Sequence, residues 1–369
     1  MKEVELAVIG AGPAGLSGAI ESAKKGVNVV VFDENKRPGG QLFKQIHKFF
    51  GSKEHMAGIR GFKIGEMLLE EANKLGIPVY LDSPVIGINK DKVVAYVHNE
   101  KIQYIVAKKI LVATGAMENV IQFPGWTLPG VMGAGAVQTM INIERVLPGK
   151  KILMVGTGNV GLIVSYQLMQ AGAGVIALVE AKPEIGGYGV HASKIKRAGV
   201  PIYLQHTVVS AEGKKFVEKA LIAKIDKNFK VIPGSEKELK VDLICLAVGL
   251  SPLIELVNLL DCKQIYVSEL GGWIPLHDEN METACKGVYV AGDVSGVEEA
   301  SSALDKGRIA GIAIAESLQH ISIEAASREI DGIRTRLNEL RCGPFGAVSL
   351  QGNNKIYKAM RRWKNEQGN

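Results

Sequence analysis

Cysteine is scarce in this chain of 369 residues: Cys245, Cys262, Cys285 and Cys342 are the whole set, and no two stand in C-x-x-C or C-x4-C spacing. Pairs at those spacings hold metals or exchange disulphides, so four free thiols in a reducing cytoplasm are the expectation. Long apolar runs are missing as well. No stretch reaches the roughly 18 uninterrupted residues that a membrane span requires. No leader is expected, because Glu3 and Glu5 come at once and the first apolar stretch has the length of a strand. Charge of one sign is also lacking. The 44 Lys and Arg are interleaved with 38 Asp and Glu, and a net charge of +6 gives no ground for a nucleic-acid partner.

Glycine, by contrast, is abundant, with 43 residues spread along the chain. This distribution implies many tight turns and close backbone approaches, not a flexible linker. Two of the glycine stretches share one pattern. In "VELAVIGAGPAGL" an apolar strand runs into Gly10, Gly12 and Gly15, a helix follows over about residues 14–25, and "VNVVVF" leads to Asp33. In "ILMVGTGNVGLIV" the same order gives Gly156, Gly158 and Gly161, a helix to about Gln170, and "VIALVE" ending in Glu180. Each part has a task in dinucleotide binding. The first glycine makes the tight turn, the second lets the backbone approach a pyrophosphate, and the third lets helix and strand pack closely. The helix N-terminus faces the phosphates, and the terminal acid accepts from ribose hydroxyls. One nicotinamide dehydrogenase needs one such unit; two point to a flavoprotein that meets a second nucleotide.

Three further stretches assign the turns. Gly39-Gly40 in "ENKRPGGQL" brings backbone against a bulky ligand, "KKILVATGA" runs an apolar strand into Ala113-Thr114-Gly115, and "GVYVAGDVSG" ends in Gly292-Asp293. In this order they resemble the FAD fingerprints of the flavoprotein reductases built from two dinucleotide-binding domains. The resemblance implies an α/β fold of two Rossmann-like domains, the second inserted in the first as in glutathione and thioredoxin reductases. It implies FAD at the first turn, held by Gly10, Gly12, Pro13, Ala14, Gly15, Asp33, Glu34, Gly40, Gln41, Val85, Ala113, Thr114, Gly115, Gly292 and Asp293. Gly156, Gly158, Asn159, Val160, Gly161 and Glu180 are assigned to NAD(H) or another adenine nucleotide, ATP or ADP. The expected FAD domain takes residues 1–125 and 251–330, the second nucleotide domain 126–250, and a tail of different character 331–369.

Within that group, "PGGQLFKQIHKFFGS", "ATGAMENVIQFPGWTLPGVMGAGAVQTMIN" and "GGYGVHASKIKRAGVPI" resemble a narrower family over about residues 3–320. It comprises the flavin- and nucleotide-binding subunits of dye-linked proline and hydroxyproline dehydrogenases, opine oxidase, hydrogen cyanide synthase and sarcosine oxidase. The resemblance implies an electron-transfer subunit of a multi-component amine or imino-acid dehydrogenase. Its expected partners are a second, amine-oxidase-like flavoprotein and a small iron–sulphur protein in a hetero-oligomer. A stand-alone NAD(P)H-dependent reductase of a ferredoxin- or quinone-like acceptor, and a regulatory subunit with a redox-inert nucleotide, are the rivals. Many members of the family end in a cysteine-rich cluster domain; here only Cys342 follows residue 320, so no iron–sulphur cluster is expected on this chain and no metal ligand is assigned.

The missing cysteine pairs exclude chemistry of the glutathione-, lipoamide- and thioredoxin-reductase kind. No acid–base residue is assigned, since hydride transfer from nicotinamide to flavin depends on stacking and orientation. Cys245 reads as a buried strand residue, His47 and His191 as packing or loop residues, and Glu298 and Glu299 as the acidic start of a helix. Cys285, just before the "GVYVAGD" strand, is the thiol with most scope for redox work. In the tail "NNKIYKAMRRWKNEQ", Ile356, Met360 and Trp363 share a helical face among five Lys or Arg. A solvated end with a packed stripe and a dock for an acidic electron carrier both fit that pattern.

Overall fold

The computed structural model describes residues 2–49, 51–343 and 346–368. The chain forms two compact units, residues 1–117 with 251–369 and residues 118–250.

The first unit opens with β1 (Lys2–Ile9), α1 (Pro13–Lys24), β2 (Val29–Phe32), α2 (Gly61–Lys74) and β3 (Val79–Tyr80). It continues through β4 (Val85–Ile88), β5 (Val93–His98) and β6 (Lys101–Val112). The chain crosses at β7 (Ala116–Glu118) into β8 (Val131–Gly133), α3 (Ala134–Thr139), β9 (Lys151–Val155), α4 (Asn159–Gln170), β10 (Gly174–Glu180), α5 (Gly189–Arg197) and β11 (Ile202–Leu204). An antiparallel meander, β12 (His206–Glu212), β13 (Lys219–Lys224) and β14 (Lys237–Leu239), precedes β15 (Leu243–Leu246). Beyond β16 (Leu250–Pro252) come α6 (Glu255–Asn258), the hairpin β17 (Gln264–Val267) and β18 (Gly272–Pro275), and β19 (Val288–Val290). The helices α7 (Ala300–Ser317), α8 (Ile323–Arg341) and α9 (Ala347–Gln367) follow.

Both sheets are parallel around the strand that starts the glycine turn. In the first unit the order is β3-β2-β1-β6, with β19 parallel to β6 at Ile110–Val112 and the β4–β5 hairpin on the lower half of β6. In the second it is β11-β10-β9-β15-β8. The apolar runs without alternation follow from this, because a sheet covered on both faces needs apolar side chains at every position. Leu6, Val8 and Val31 pack with α1 and α7, while Ala7, Ile9, Val30 and Phe32 fill the opposite face. Asn99 and Glu100 take φ of 50° and 61° between β5 and β6, the left-handed pair of a two-residue hairpin.

The cysteines depart from expectation. Cys245 is buried and Cys342 exposed as free thiols, but Cys262 and Cys285 are joined in a disulphide across 23 positions. Two thiols far apart in sequence meet because the β17–β18 hairpin folds back before β19, and spacing alone gives no sign of it. Cys285 stands at the amino end of β19, whereas Asp293 follows its carboxyl end. A turn closed by the Val288 N–H on the Cys285 carbonyl precedes the strand, so the disulphide lies at the end of β19 opposite Asp293.

The tail is helical and belongs to the first compact unit. On α9, Ile356 and Met360 are buried against Val267, Leu270, Ile274 and Leu276, with Trp363 packed beside them.

Candidate functional site: two nucleotide turns

The first turn is fixed by backbone contacts that leave no room for a side chain. Gly10 has φ +106°, and a Cβ there would lie 2.3 Å from the Ala113 carbonyl oxygen. A Cβ on Gly15 would lie 1.8 Å from the Gly10 oxygen, which fixes α1 directly on the turn. Gly12 is different: it takes extended backbone, and the one neighbour of its Cβ position is the Gly40 Cα at 3.8 Å. Pro13 follows at the first helical position, where its missing N–H costs nothing. Asp33 at the end of β2 accepts from the Ala11 N–H (2.6 Å) and the Asn35 N–H (2.7 Å). The Gly39 N–H donates to the Ala11 carbonyl at 2.7 Å, which lays Gly40 over Gly12.

The other assigned residues gather on the same edge. Ala113 donates from its N–H to Ile9, the Thr114 hydroxyl donates to Leu253, and Gly115 carries φ +80° with open space at its Cβ position. Gly292 lies against Ala14, so Asp293 at the end of β19 enters beside the start of α1. Burial raises the Asp293 carboxyl to about 6. Val85 follows Ser83, whose N–H donates to the Asp33 carbonyl. Glu34 and Gln41 are exposed. Bare backbone at Gly12 and Gly115, a helix N-terminus and carboxylates at Asp33 and Asp293 fit a dinucleotide with a polar ribityl chain.

The second turn repeats this construction. Gly156 also has φ +106°, and its Cβ would lie 2.2 Å from Ala247 O; for Gly161 the obstacle is Gly156 O at 2.3 Å, while Gly158 has nothing within 4 Å. Glu180 accepts from the Thr157 N–H (2.9 Å), the Thr157 hydroxyl (2.6 Å) and the Lys182 N–H (3.0 Å). Asn159 accepts from the Tyr188 N–H at 2.8 Å, and Val160 is exposed on α4. His191 is buried on α5, and that burial lowers its pKa. Among the described residues no group of three or more metal-ligating side chains converges, and no helix is long and apolar enough to cross a membrane.

Sequence reading missed two features. Gly186-Gly187 follows Glu180 at the interval by which Gly39-Gly40 follows Asp33, and its backbone closes on Thr157 and Gly158 as that pair closes on Ala11 and Gly12. Equal spacing after the two acids was the available signal. The second is a buried ionic cluster next to Asp293. Glu298 donates its N–H to Asp293, and its carboxylate accepts from Lys306 (2.7 Å), Arg341 (2.8 Å) and Asn353 (3.1 Å). Burial would raise the Glu298 pKa, but Lys306 and Arg341 outweigh it and hold the group at about 2. Glu298 is thus a partner of α7, α8 and α9 in place of a helix-opening acid, and Glu299 takes the N-cap position of α7. The signal for the cluster was Asp305-Lys306 among the small and apolar residues that make up most of α7. Asp305 is itself buried, accepting from His55 at 2.9 Å and from Arg308 and Arg336.

Known proteins share this architecture. An opine oxidase subunit from Agrobacterium tumefaciens (strain Ach5) is 26% identical over 88% of this chain and 68% of its own length. The hydrogen cyanide synthase subunit HcnB of Pseudomonas aeruginosa is 26% identical over 90% of this chain and 75% of its own. The crystal structure of L-proline dehydrogenase from P. horikoshii superposes with a TM-score of 0.67 at 22% identity, over 89% of this chain and 59% of that one. The chain thus spans roughly two thirds of several relatives that it matches. A model of the pyridine nucleotide-disulphide oxidoreductases matches residues 4–307, and with both nucleotide turns in place the chain belongs to that family of flavin-dependent oxidoreductases.

Proposed function

We propose that this chain is the flavin-bearing electron-transfer subunit of a multi-component dehydrogenase acting on an amine or imino acid. The observation that carries this reading is the presence of two complete nucleotide turns, with no cysteine pair at the flavin-facing edge. Relatives named as subunits, one of opine oxidase and one of hydrogen cyanide synthase, support it. FAD would be held by the first turn, Asp33, the 113–115 turn and Asp293, and when bound supplies reversible uptake of a hydride or of single electrons. The Gly12 and Gly115 backbone leaves room for it, and Asp33 keeps unused acceptor positions for hydroxyls. The second turn would take an adenine nucleotide, NAD(H) first, on Gly156–Gly161 and Glu180.

Amine oxidation would then take place on a second flavoprotein, with this chain on the electron path. Purified protein should be yellow and release FAD in acid. Alone it should not reduce dye with proline, hydroxyproline or sarcosine, and mixing with the partner flavoprotein should restore dye-linked activity. Rapid turnover of any of these substrates by the isolated chain overturns the proposal. Fast reduction of its flavin by NADH with onward transfer to a ferredoxin, in the absence of any partner flavoprotein, would replace it by the stand-alone reductase.

A further inference from the structure

Five basic residues on α9 differ sharply in what surrounds them. Lys355 pairs with Glu269, Arg361 with Glu279 (3.4 Å) and Lys364 with Asp278 (2.7 Å). These three are neutralised within the chain. Lys358 and Arg362 are exposed and make no ion pair with any described residue, nor does the exposed Lys263 ahead of the β17–β18 hairpin. All three line one groove of about 410 Å³ between that hairpin and α9, floored by Ile265, Leu276 and Trp363. The same hairpin carries an exposed aromatic pair, Tyr266 and Trp273, with ring centroids 5.5 Å apart.

We infer that this groove is the docking surface for an acidic face of a partner protein that presents an apolar side chain to Trp363. The inference rests on the multi-subunit reading above and names its contact. Uncompensated cations at the rim supply charge complementarity, which steers encounter and fixes register. Within the groove, Trp363 and Arg362 are of the residue types that dominate interface energetics. The acids interleaved here decide against a uniform polyanion. Glu366 lies in the groove, and Glu269, Asp278 and Glu279 flank it. A nucleic-acid backbone or an anionic bilayer would meet these carboxylates, whereas discrete acids on a protein face can fall between them.

The test uses the full chain, tagged in its source organism and purified at low ionic strength. A carbodiimide then joins lysine amines to carboxylates in direct contact. Lys263 or Lys358 should be joined to an Asp or Glu of a co-purifying protein. The variant K263E/K358E/R362E should keep its flavin and melting temperature yet retain that protein about tenfold less well, or weaker still. If this variant fails to fold, the wild-type cross-link map and loss of the complex at raised salt decide. A complex that persists in the folded variant, or cross-links mapping elsewhere, overturns the inference and leaves the multi-subunit reading standing. Emergence of the chain without any partner removes both. Cross-links between two copies of the chain, or variant-sensitive binding to a single-stranded oligonucleotide or to phosphatidylglycerol vesicles, also overturn it.

Discussion

The two glycine turns are built alike down to the obstacle each glycine avoids, yet what stands above them differs. Ala113 O blocks Gly10 as Ala247 O blocks Gly156, and Ala11 donates to Asp33 as Thr157 donates to Glu180. In each unit a further parallel strand lies on the far side, β19 against β6 and β8 against β15. There the likeness ends. β19 delivers Gly292-Asp293 and the long helix α7, anchored by buried charges. β8 delivers Gly133 and the short α3, where Glu118 accepts from the Gly135 N–H at 2.6 Å. The two turns therefore share one frame, and the strand across from each brings different groups beside it.

Breaking one turn at a time tests that division with the largest expected effect. A Gly12→Val side chain meets little of the protein and projects where a pyrophosphate would lie. FAD affinity should fall by on the order of a thousandfold, about 4 kcal/mol, giving colourless protein of unchanged fold by circular dichroism. Gly158→Val, in equally open space, should stay yellow and lose affinity only for the second nucleotide. If Gly158→Val is the colourless one, the assignment of the two turns is reversed. Gly15→Val and Gly161→Val differ in kind, because their side chains meet backbone, and both should fail to fold.

The disulphide sharpens the comparison next, since it closes a loop in the first unit and the second unit holds only the buried thiol of Cys245. Loop closure across 23 positions contributes about 3 kcal/mol in the chain-entropy model. Cys285→Ser, or reduction, should therefore lower the thermal transition of the first unit and leave that of the second in place. Calorimetry of residues 118–250 beside the whole chain separates the two. Equal sensitivity of both transitions to reductant would refute it.

Buried polarity also divides the units. The second buries an amide cluster, in which Gln138 and Asn142 donate to Gln167, and amides do not titrate. The first buries Glu298, Asp293 and His277, each with its own sign. Glu298, held at about 2, contributes stability above its ordinary pKa and loses it as pH falls from about 4.5 towards 2. Burial presses His277 down to about 4, so its share is complete above its ordinary value of about 6.5 and lost as pH falls towards 4. Asp293, raised to about 6, acts oppositely: its contribution is complete below about 4 and lost as pH rises through 6. The flavin-free first unit should thus lose stability as pH falls below about 4.5, while between about 4.5 and 6 the contributions of Asp293 and His277 run in opposite directions and nearly cancel. In the second unit the lowered pKa of His191 leaves only a weaker acid loss. Denaturant melts across pH measure both, and a first unit insensitive below pH 4 would show the cluster to be unimportant.

How much of this was legible follows from where each signal is stored. The turns, the parallel order and the family are written in contiguous stretches, because strand, turn, helix and acid follow one another within about thirty residues. The disulphide joins residues 23 positions apart, and Glu298 reaches Arg341 43 positions on; their residue types carry no local pattern. Even so, Asp305 and Lys306 were anomalies that sequence could have flagged, since ionised side chains inside an apolar helix require partners. The tail divided in the same way. Its apolar stripe was legible, and its three ion pairs with the first unit were not.

The smallest expected effect concerns the second acid. Glu180 has both oxygens engaged by Thr157 and by the Lys182 N–H, so its position is set before any ligand arrives. A carboxylate held there accepts from ribose hydroxyls and repels a 2′-phosphate. NADH should bind more tightly than NADPH by about tenfold, near 1.4 kcal/mol, and ADP and ATP, which also lack that phosphate, should fit. Glu180→Gln keeps the shape and one acceptor while removing the charge, so the ratio should narrow mainly through tighter NADPH binding. Lys182→Ala should widen it, because Lys182 follows the carboxylate by two positions, its N–H bonded to it, and its ammonium would favour the phosphate. Titrations on the Gly12→Val background remove the flavin signal and confine the measurement to the second turn. A wild-type preference for NADPH would mean that the Lys182 ammonium outweighs the Glu180 carboxylate, and Lys182→Ala should then reverse the preference.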